Sequence, residues 1–223
     1  MKIYLRVCPF VNGKSPLHKD NKLAMFEKTL SSVVRGFNDI KPEVIFILDS
    51  CPIEYEKLVK NTPFKSSIVI GEKMGNLGSF RKQVELASKV DDYVLLLEDD
   101  YIFLPDVGKK LMAAMESFDF VTPYDHPDLY WNEPRHIGEY EIKVVGDHHW
   151  REVRSTTLTF GCHSSKLNEH MDTIIEHEIW DYPMWQEIRA NGSRLWGPIP
   201  SLATHLVEDL LAPTINWEEE WSK

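Results

Sequence analysis

Three consecutive carboxylates follow a short apolar run in the segment YVLLLEDDYIFLPD, residues 93–106. Residues 94–97 are hydrocarbon, and Glu98, Asp99 and Asp100 come directly after them. Adjacent anions repel one another, and a partly buried carboxylate costs desolvation energy unless a cation lies nearby. The segment itself contains no lysine or arginine. We therefore expect a cation from elsewhere, and Mg²⁺ or Mn²⁺ suits oxygen ligands while leaving positions open for phosphate oxygens.

The first half of the sequence alternates between predicted strands and predicted helices. Short runs rich in branched apolar residues predict strands at 3–7, 44–48, 67–70 and 93–97. Apolar residues at helical spacing predict a helix over 26–37, which Asp20 would cap, a second helix over 80–90, and a third helix that Pro105 opens. This rhythm is typical of parallel strands that are joined by right-handed crossovers, in a sheet covered by helices on both faces.

The second half of the sequence is less regular. It predicts a strand at 119–124, a loop-like segment at 124–150, a strand at 153–160, helices over 165–177 and 182–192, and an extended segment at 194–206. No internal repeat or linker interrupts the chain. We therefore expect one α/β domain with a mostly parallel central sheet.

Polar residues are expected together at one edge of that sheet. In open parallel sheets, ligands bind beyond the carboxyl ends of the strands. The ends of the four predicted strands carry Cys8-Pro9, Asp49-Ser50, the segment 71–79 and the acid triplet. For Asp49 alone, an ordinary turn role explains the residue equally well. The convergence of four strand ends is what indicates a ligand site.

The composition excludes several classes of protein. Of the 223 residues, 43% are hydrophobic and 27% charged, which is typical of a globular domain with a real core. The net charge of −10 predicts no nucleic-acid partner, because phosphate backbones need clustered Lys and Arg. Three cysteines at no metal-like spacing predict no disulfide framework, and no apolar run approaches the length of a membrane span. We therefore expect a cytoplasmic protein.

The acid triplet and the residues before it resemble a known family. The stretch GNLGSFRKQVELASKVDDYVLLLEDDYIFLPD, residues 75–106, resembles the DxD-type metal motif of GT-A fold glycosyltransferases, particularly those of family 2. The resemblance implies one GT-A-like domain over 1–223, with a nucleotide-binding half at 1–106 and an acceptor-binding half at 107–223. It implies a metal-dependent, inverting transfer from a nucleoside-diphosphate sugar, with a UDP-sugar favoured. The acceptor would be a hydroxyl on a carbohydrate or lipid-linked glycan, as in polysaccharide biosynthesis.

The resemblance also assigns roles to individual residues. It implies nucleotide-sugar contacts at Pro9, Asp49, Asn76, Gly78, Arg81, Glu98 and Asp99. It implies Mn²⁺ or Mg²⁺ as the cofactor, with Asp100 and His205 as ligands. Two departures concern the nucleotide: LDSCP lacks the second Asp that is common in the family, and Gln83 stands where an Asn is usual.

A general base is needed to accept the proton of the acceptor hydroxyl. Asp181 in HEIWDYPMWQEIRANG resembles the family's acidic motif at the start of a helix, although Trp180 replaces the first acid. Asp181 is also well placed to cap that helix, and the two roles are compatible. Glu178 is the second candidate for the base.

The aromatic residues of 124–150 predict an acceptor-binding surface. Sugars present apolar C–H faces that pack on rings, and Trp131 and Trp150 lie among polar residues that suit hydroxyl groups. Core packing explains at least half of the rings in this segment.

Other interpretations of these segments stay open at this point. A sugar-phosphate nucleotidyltransferase shares the sheet, but CPFVNGKSPLHK is only a faint version of the glycine-rich, basic loop that follows its first strand. A binding module without turnover would have no need of Asp181. The segment GDHHW, with Asp147, His148 and His149, lacks further ligands for zinc. The tail NWEEEWSK is most simply a solvated terminus, with a movable lid as the lesser alternative.

Overall fold

The computed structural model describes residues 1–10, 21–131, 134 and 138–223. Within these residues one large sheet contains β1 (Lys2–Val7), β2 (Glu43–Asp49), β3 (Ser66–Gly71), β4 (Tyr93–Glu98), β6 (Phe120–Val121), β7 (Ile142–Val145), β8 (His148–Val153), β9 (Phe160–His163) and β10 (Leu195–Ile199). A small antiparallel sheet pairs β5 (Tyr101–Phe103) with β11 (Ala203–His205).

The large sheet has the order β3-β2-β1-β4-β9-β6-β10-β8-β7. All of its described strands run in one direction except β8 and β9. The first four strands form the parallel part that the alternating pattern predicts. The expectation of a mostly parallel central sheet is confirmed.

Helices cover both faces of the large sheet. They are α1 (Lys22–Phe37), α2 (Ile53–Lys60), α3 (Gly75–Ala87), α4 (Val107–Met115), α5 (Ser164–Glu169), α6 (Met171–His177), α7 (Asp181–Ala190) and α8 (Trp217–Ser222). Buried side chains of α1, α2, α4 and α8 form one core with one face of the sheet. Those of α3, α5, α6 and α7 form a second core with the other face. None of the described helices combines the length and the apolar character that a membrane crossing requires.

A β-hairpin replaces part of the predicted loop at 124–150. β7 and β8 pair antiparallel across a tight turn that contains Gly146, whose φ of 62° lies in the left-handed region that glycine favours. Side chains alternate along β8, so His148 is buried and bonds the Pro200 carbonyl, whereas His149 is exposed. Neighbouring histidines on opposite faces cannot converge on zinc.

The prediction of Trp150 as an acceptor contact is wrong. Its side chain is 0% exposed and packs in the core beside Phe118, with ring centroids 6.2 Å apart. The alternation of β8 accounts for this, because it turns Trp150 inward together with His148 and Glu152.

Two predicted elements are divided in the structure. The strand expected at 153–160 is instead the end of β8 and the start of β9, and the connection between them contains Leu158 with a φ of 57°. The helix expected over 165–177 breaks at His170, whose buried ring bonds the Ser193 hydroxyl at 2.8 Å. Tertiary hydrogen bonds thus override a continuous local pattern. Asp20, expected to cap α1, lies outside the described residues.

The C-terminal tail is packed rather than solvated. Trp217 is 3% exposed and donates its indole N–H to the Ala212 carbonyl at 2.7 Å. Glu220 of α8 pairs with Arg35 of α1 at 3.5 Å. These contacts fix α8 against α1, so the prediction of a solvated terminus is wrong.

Gly36 is required where α1 crosses the chain that links β5 to α4. A Cβ at this position would lie 2.7 Å from Val107 Cγ1 and 2.8 Å from the Leu104 carbonyl oxygen. We expect Gly36→Ala to lower the free energy of unfolding by about 1–3 kcal/mol, the usual cost of overpacking, in spite of the better helix propensity of alanine. Urea unfolding measures this change.

Ser31→Ala is the matched control, because Ser31 is exposed on the same helix. It should leave stability unchanged or raise it slightly. A Gly36→Ala variant as stable as Ser31→Ala would contradict the close packing of α1.

Candidate functional site

A cavity of about 650 Å³ opens at the carboxyl ends of β1, β2 and β4. Six of the residues predicted from the resemblance line it: Asp49, Asn76, Glu98, Asp99, Asp100 and His205. Arg6, Cys8, Phe10, Lys22 and Lys73 also line it. The expected convergence of strand ends therefore produces a real cavity, with the acid triplet at its floor.

Each carboxylate of the triplet is paired with a cationic side chain of this chain. Glu98 pairs with Arg6, Asp99 with Lys22 at 2.7 Å, and Asp100 with His205 at 3.1 Å. The cations come from β1, the start of α1 and the end of β11. The expectation that a metal must supply the missing positive charge is therefore too simple, because the protein supplies one partner for each carboxylate.

Arg6 joins the acid triplet to the first turn of α3. One guanidinium nitrogen donates to Glu98, and another donates to the side-chain and backbone oxygens of Asn76. Burial raises the pKa of Glu98, and the charge of Arg6 opposes that shift. The forked geometry of arginine allows one residue to orient both partners. Sequence reasoning missed Arg6, although a charged residue within the apolar run IYLRV was a visible signal.

Asp99 is an internal anchor rather than a free ligand. Its carboxylate is 5% exposed and accepts hydrogen bonds from Lys22 Nζ at 2.7 Å and from the Cys8 amide at 2.8 Å. Burial disfavours the charged ammonium of Lys22, but the Asp99 carboxylate outweighs it and raises the pKa of Lys22. Thr29 of α1 donates to the Asp99 carbonyl at 3.2 Å. These bonds fasten α1 and β1 to the floor of the cavity.

Asp100 and His205 form the part of the floor that remains open to a ligand. Burial alone would raise the pKa of Asp100, but the charge and hydrogen bond of His205 hold it well below its usual value. Burial likewise disfavours the imidazolium, but Asp100 raises the pKa of His205. The imidazole stacks on the Tyr101 ring with centroids 4.9 Å apart. Among the described residues, Asp100 Oδ1 and His205 Nδ1 are buried without a hydrogen-bond partner.

Asp49 positions the chain that leads into α3. Its two carboxylate oxygens accept the backbone N–H groups of Met74, at 2.9 Å, and Gly75, at 2.7 Å. Lys73, with a φ of 55°, and Gly75, with a φ of 65°, make the turn that these bonds require. Asp49 lines the cavity, but most of its hydrogen-bonding capacity serves this turn.

Three of the predicted nucleotide contacts do not line the cavity. Arg81 forms an ion pair with Glu178, the second candidate for the base, so both are engaged with each other at the surface. Gly78 of α3 lies next to Met74, the residue before this helix. A Cβ on Gly78 would be 3.1 Å from Met74 Cβ. Pro9 is half-buried between two lining residues, Cys8 and Phe10.

Asp181 lies at the first position of α7, on the same edge of the sheet. Its carboxylate accepts the backbone N–H of Thr156 at 2.9 Å. The next residue, Thr157, is hydrogen-bonded to the Tyr101 hydroxyl, and the Tyr101 ring stacks on His205. A short series of contacts therefore connects Asp181 to the cavity floor, although Asp181 itself does not line the cavity.

The two tryptophans predicted to bind an acceptor are separated in the structure. Trp131 is 60% exposed at the end of a single 3₁₀ turn, Pro127–Tyr130, and does not line the cavity. Trp150 is buried in the core. The described residues contain no group of three or more His, Cys, Asp or Glu side chains suited to a metal ion.

Comparisons with known proteins identify the fold. No family model matches the sequence, and no curated protein matches it. Among solved structures, GalNAc-T7 with UDP, GalNAc and Mn²⁺ aligns with a TM-score of 0.63 and 10% identity, over 94% of this chain and 44% of that one. The galactosyltransferase LgtC with donor and acceptor sugar analogues aligns at 0.52 and 9%, over 87% and 73%.

Two further solved structures align with similar TM-scores and similar sequence identities. TarS of S. aureus aligns with a TM-score of 0.55 and 12% identity, over 88% of this chain and 34% of that one. A nucleotidyl transferase from Methanothermobacter thermautotroptrophicus aligns at 0.51 and 13%, over 87% and 85%. This chain thus spans less than half the length of GalNAc-T7 and TarS. At these identities the likeness concerns the fold, and it shows that the chain has a GT-A-like α/β fold.

The buried pair of Lys22 and Asp99 predicts a large effect on stability. Lys22→Met should lower the free energy of unfolding by about 3–5 kcal/mol, because it leaves a carboxylate buried without its cation. The double variant Lys22→Met/Asp99→Asn should recover most of that loss. Urea unfolding of the two variants measures both effects.

Lys60→Met is the control for this pair. Lys60 pairs with Glu56 at 2.9 Å, but its side chain is 60% exposed. The loss should stay below about 1 kcal/mol, as is usual for exposed pairs. Equal losses in the free energy of unfolding for Lys22→Met and Lys60→Met would contradict a large contribution of the buried pair to stability.

Proposed function

We propose that the chain is a metal-dependent, inverting glycosyltransferase that moves a sugar from a nucleoside-diphosphate sugar, with a UDP-sugar favoured, to a hydroxyl acceptor. The observation that carries the proposal is the pair of Asp100 and His205 at the floor of a cavity with the GT-A-like fold around it. The volume of about 650 Å³ lies within the range of small-molecule sites. GalNAc-T7, which has the same fold, was solved with UDP and Mn²⁺.

The donor atoms of Asp100 and His205 fit a divalent cation. Asp100 Oδ2 lies 3.1 Å from His205 Nε2, so this carboxylate oxygen and this imidazole nitrogen are close enough to hold one cation together. One buried atom of each residue has no partner among the described residues. Mn²⁺ or Mg²⁺ commonly has one or two protein ligands and takes the others from phosphate and water. Bound there, the ion would stabilise the charge on a departing diphosphate.

The remaining residues of the floor would hold this arrangement in place. Arg6 and Lys22 engage Glu98 and Asp99, which leaves Asp100 as the member of the triplet available to a cation. Metal binding needs a neutral imidazole, so the proton shared by Asp100 and His205 would leave when the cation enters. Glu98 and Asn76, oriented by Arg6, would contact the donor.

Asp181 is the general base of the proposal. An inverting transfer is one in-line displacement, in which the acceptor oxygen attacks the sugar opposite the leaving diphosphate. The acceptor proton passes to the Asp181 carboxylate as the new bond forms. The Thr156 amide fixes one carboxylate oxygen, so the carboxylate is oriented before the acceptor binds. Asn at this position would keep that hydrogen bond but lose the basicity.

A sugar-phosphate nucleotidyltransferase is the alternative function, since one nucleotidyl transferase structure shares the fold over 85% of its own length. The loop that would support it spans residues 8–19, of which 11–19 lie outside the described residues. The products separate the two functions. Release of UDP from a UDP-sugar indicates glycosyl transfer, whereas release of pyrophosphate from UTP and a sugar 1-phosphate indicates nucleotidyl transfer.

The cation site predicts stabilisation by UDP only when a divalent ion is present. At a UDP concentration 100 times its Kd, the melting temperature should rise by about 5–10 °C with Mn²⁺, corresponding to roughly 2.7 kcal/mol, and EDTA should abolish the rise. Asp100→Asn and His205→Gln should each remove most of it. Thermal unfolding with UDP, Mn²⁺ or both measures the effect.

Asp147→Asn is the matched control, because Asp147 is 78% exposed in the β7–β8 turn. This variant should keep the full rise. A rise that survives Asp100→Asn, or that EDTA does not reduce, would contradict the metal-dependent donor site.

The role of Asp181 predicts a separation of binding from turnover. Asp181→Asn should leave the stabilisation by UDP and Mn²⁺ unchanged and lower the rate of UDP release by about 10²–10⁴-fold, the usual contribution of a general base. Asp172→Asn, an exposed acidic residue at the start of α6, should have no effect on either. Turnover of Asp181→Asn within tenfold of the unchanged chain would place the base elsewhere.

A further inference from the structure

Trp180 is an exposed aromatic residue that lies between two acidic residues, Glu178 and Asp181. Its side chain is 71% exposed, although tryptophan is one of the most hydrophobic side chains. It precedes Asp181 directly and stands before the first turn of α7. A single exposed apolar side chain is common on protein surfaces, so the significance of Trp180 depends on the residues around it.

Two contacts hold the short loop that carries Trp180. On one side, Glu178 pairs with Arg81 of α3, the helix whose first turn lines the cavity. On the other side, Asp181 accepts the Thr156 amide at 2.9 Å. Glu178 has a φ of 55°, a strained conformation for a residue other than glycine, which persists only where the surroundings fix it. The loop therefore presents Trp180 at a defined position between α3 and Asp181.

The Tyr140 ring and the Arg154 guanidinium lie near α7, the helix that begins at Asp181. Arg154 lies over the Tyr140 ring at 5.3 Å from its centroid, and the Arg154 carbonyl accepts a bond from Gln186 of α7 at 3.0 Å. Arg154 therefore connects the Tyr140 ring to α7.

We propose that Trp180 is the platform on which the pyranose ring of a carbohydrate acceptor stacks, with its apolar C–H face on the indole and a hydroxyl toward Asp181. This inference rests on the proposed function and names the acceptor class for it. Glu178 and Asp181, which lie two residues before and one residue after Trp180, disfavour a purely apolar partner. A sugar offers both an apolar face for the ring and hydroxyls for the carboxylates and Arg154.

Saturation-transfer NMR with a panel of methyl pyranosides, in the presence of UDP and Mn²⁺, tests the proposal. The unchanged chain should transfer saturation to the C–H groups on one face of a bound pyranoside. Trp180→Ala should weaken its binding by about 10-fold, and Trp180→Phe should keep most of it. Ile175→Ala, which removes another exposed apolar side chain, on α6, should have no effect.

Equal affinity of Trp180→Ala and the unchanged chain would overturn the proposal, and so would an unchanged chain that binds no pyranoside of the panel. Thermal stabilisation by UDP and Mn²⁺, measured on the same samples, should be the same in all four proteins. Pyranoside binding through Trp180 in a chain that does not bind UDP would refute the proposed transferase and sustain the saccharide platform. The two failures are therefore distinguishable.

Discussion

The site depends on the pairing of three consecutive carboxylates with three cationic side chains that are distant in the sequence. Burying a carboxylate costs several kcal/mol unless a partner compensates it. Arg6, Lys22 and His205 compensate Glu98, Asp99 and Asp100 only after β1, α1 and β11 have come together at the end of β4. Folding and the formation of the cavity floor are thus one event, because neither the acids nor their partners are satisfied in the separate segments.

This pairing divides the polar residues of the cavity into anchors and binding groups. Asp99 is engaged with Lys22 and a backbone amide, and Asp49 with two backbone amides. Such residues set the shape of the cavity and have little capacity left for a ligand. Asp100 and His205 retain buried atoms without described partners, and they concentrate the binding chemistry in one place.

The strands of the first half could be predicted because each is a continuous apolar run, and the strand ends then placed the acid triplet correctly. Among the partners of the triplet, the resemblance already placed His205 beside Asp100, 105 residues away. The pairing of Lys22 with Asp99, 77 residues away, could not be predicted, because nothing local marks the contact. Trp150 was misplaced because its hairpin follows a tight turn at Gly146, and the alternation along β8 decides which rings are inside. Asp181 was predicted at the start of a helix, where it lies, but the hydrogen bond from the Thr156 amide could not be predicted.

β4 and β9 are hydrogen-bonded neighbours, with Leu96 opposite Phe160, so the two predicted halves of the chain share one sheet. A rotation of one half against the other would have to break that ladder. The spacing between the metal-binding candidates after β4 and the carboxylate at the start of α7 is therefore built into the strand register. In the proposed transfer, adjustment to a different acceptor would be left to the loops above the sheet and need not disturb the donor side.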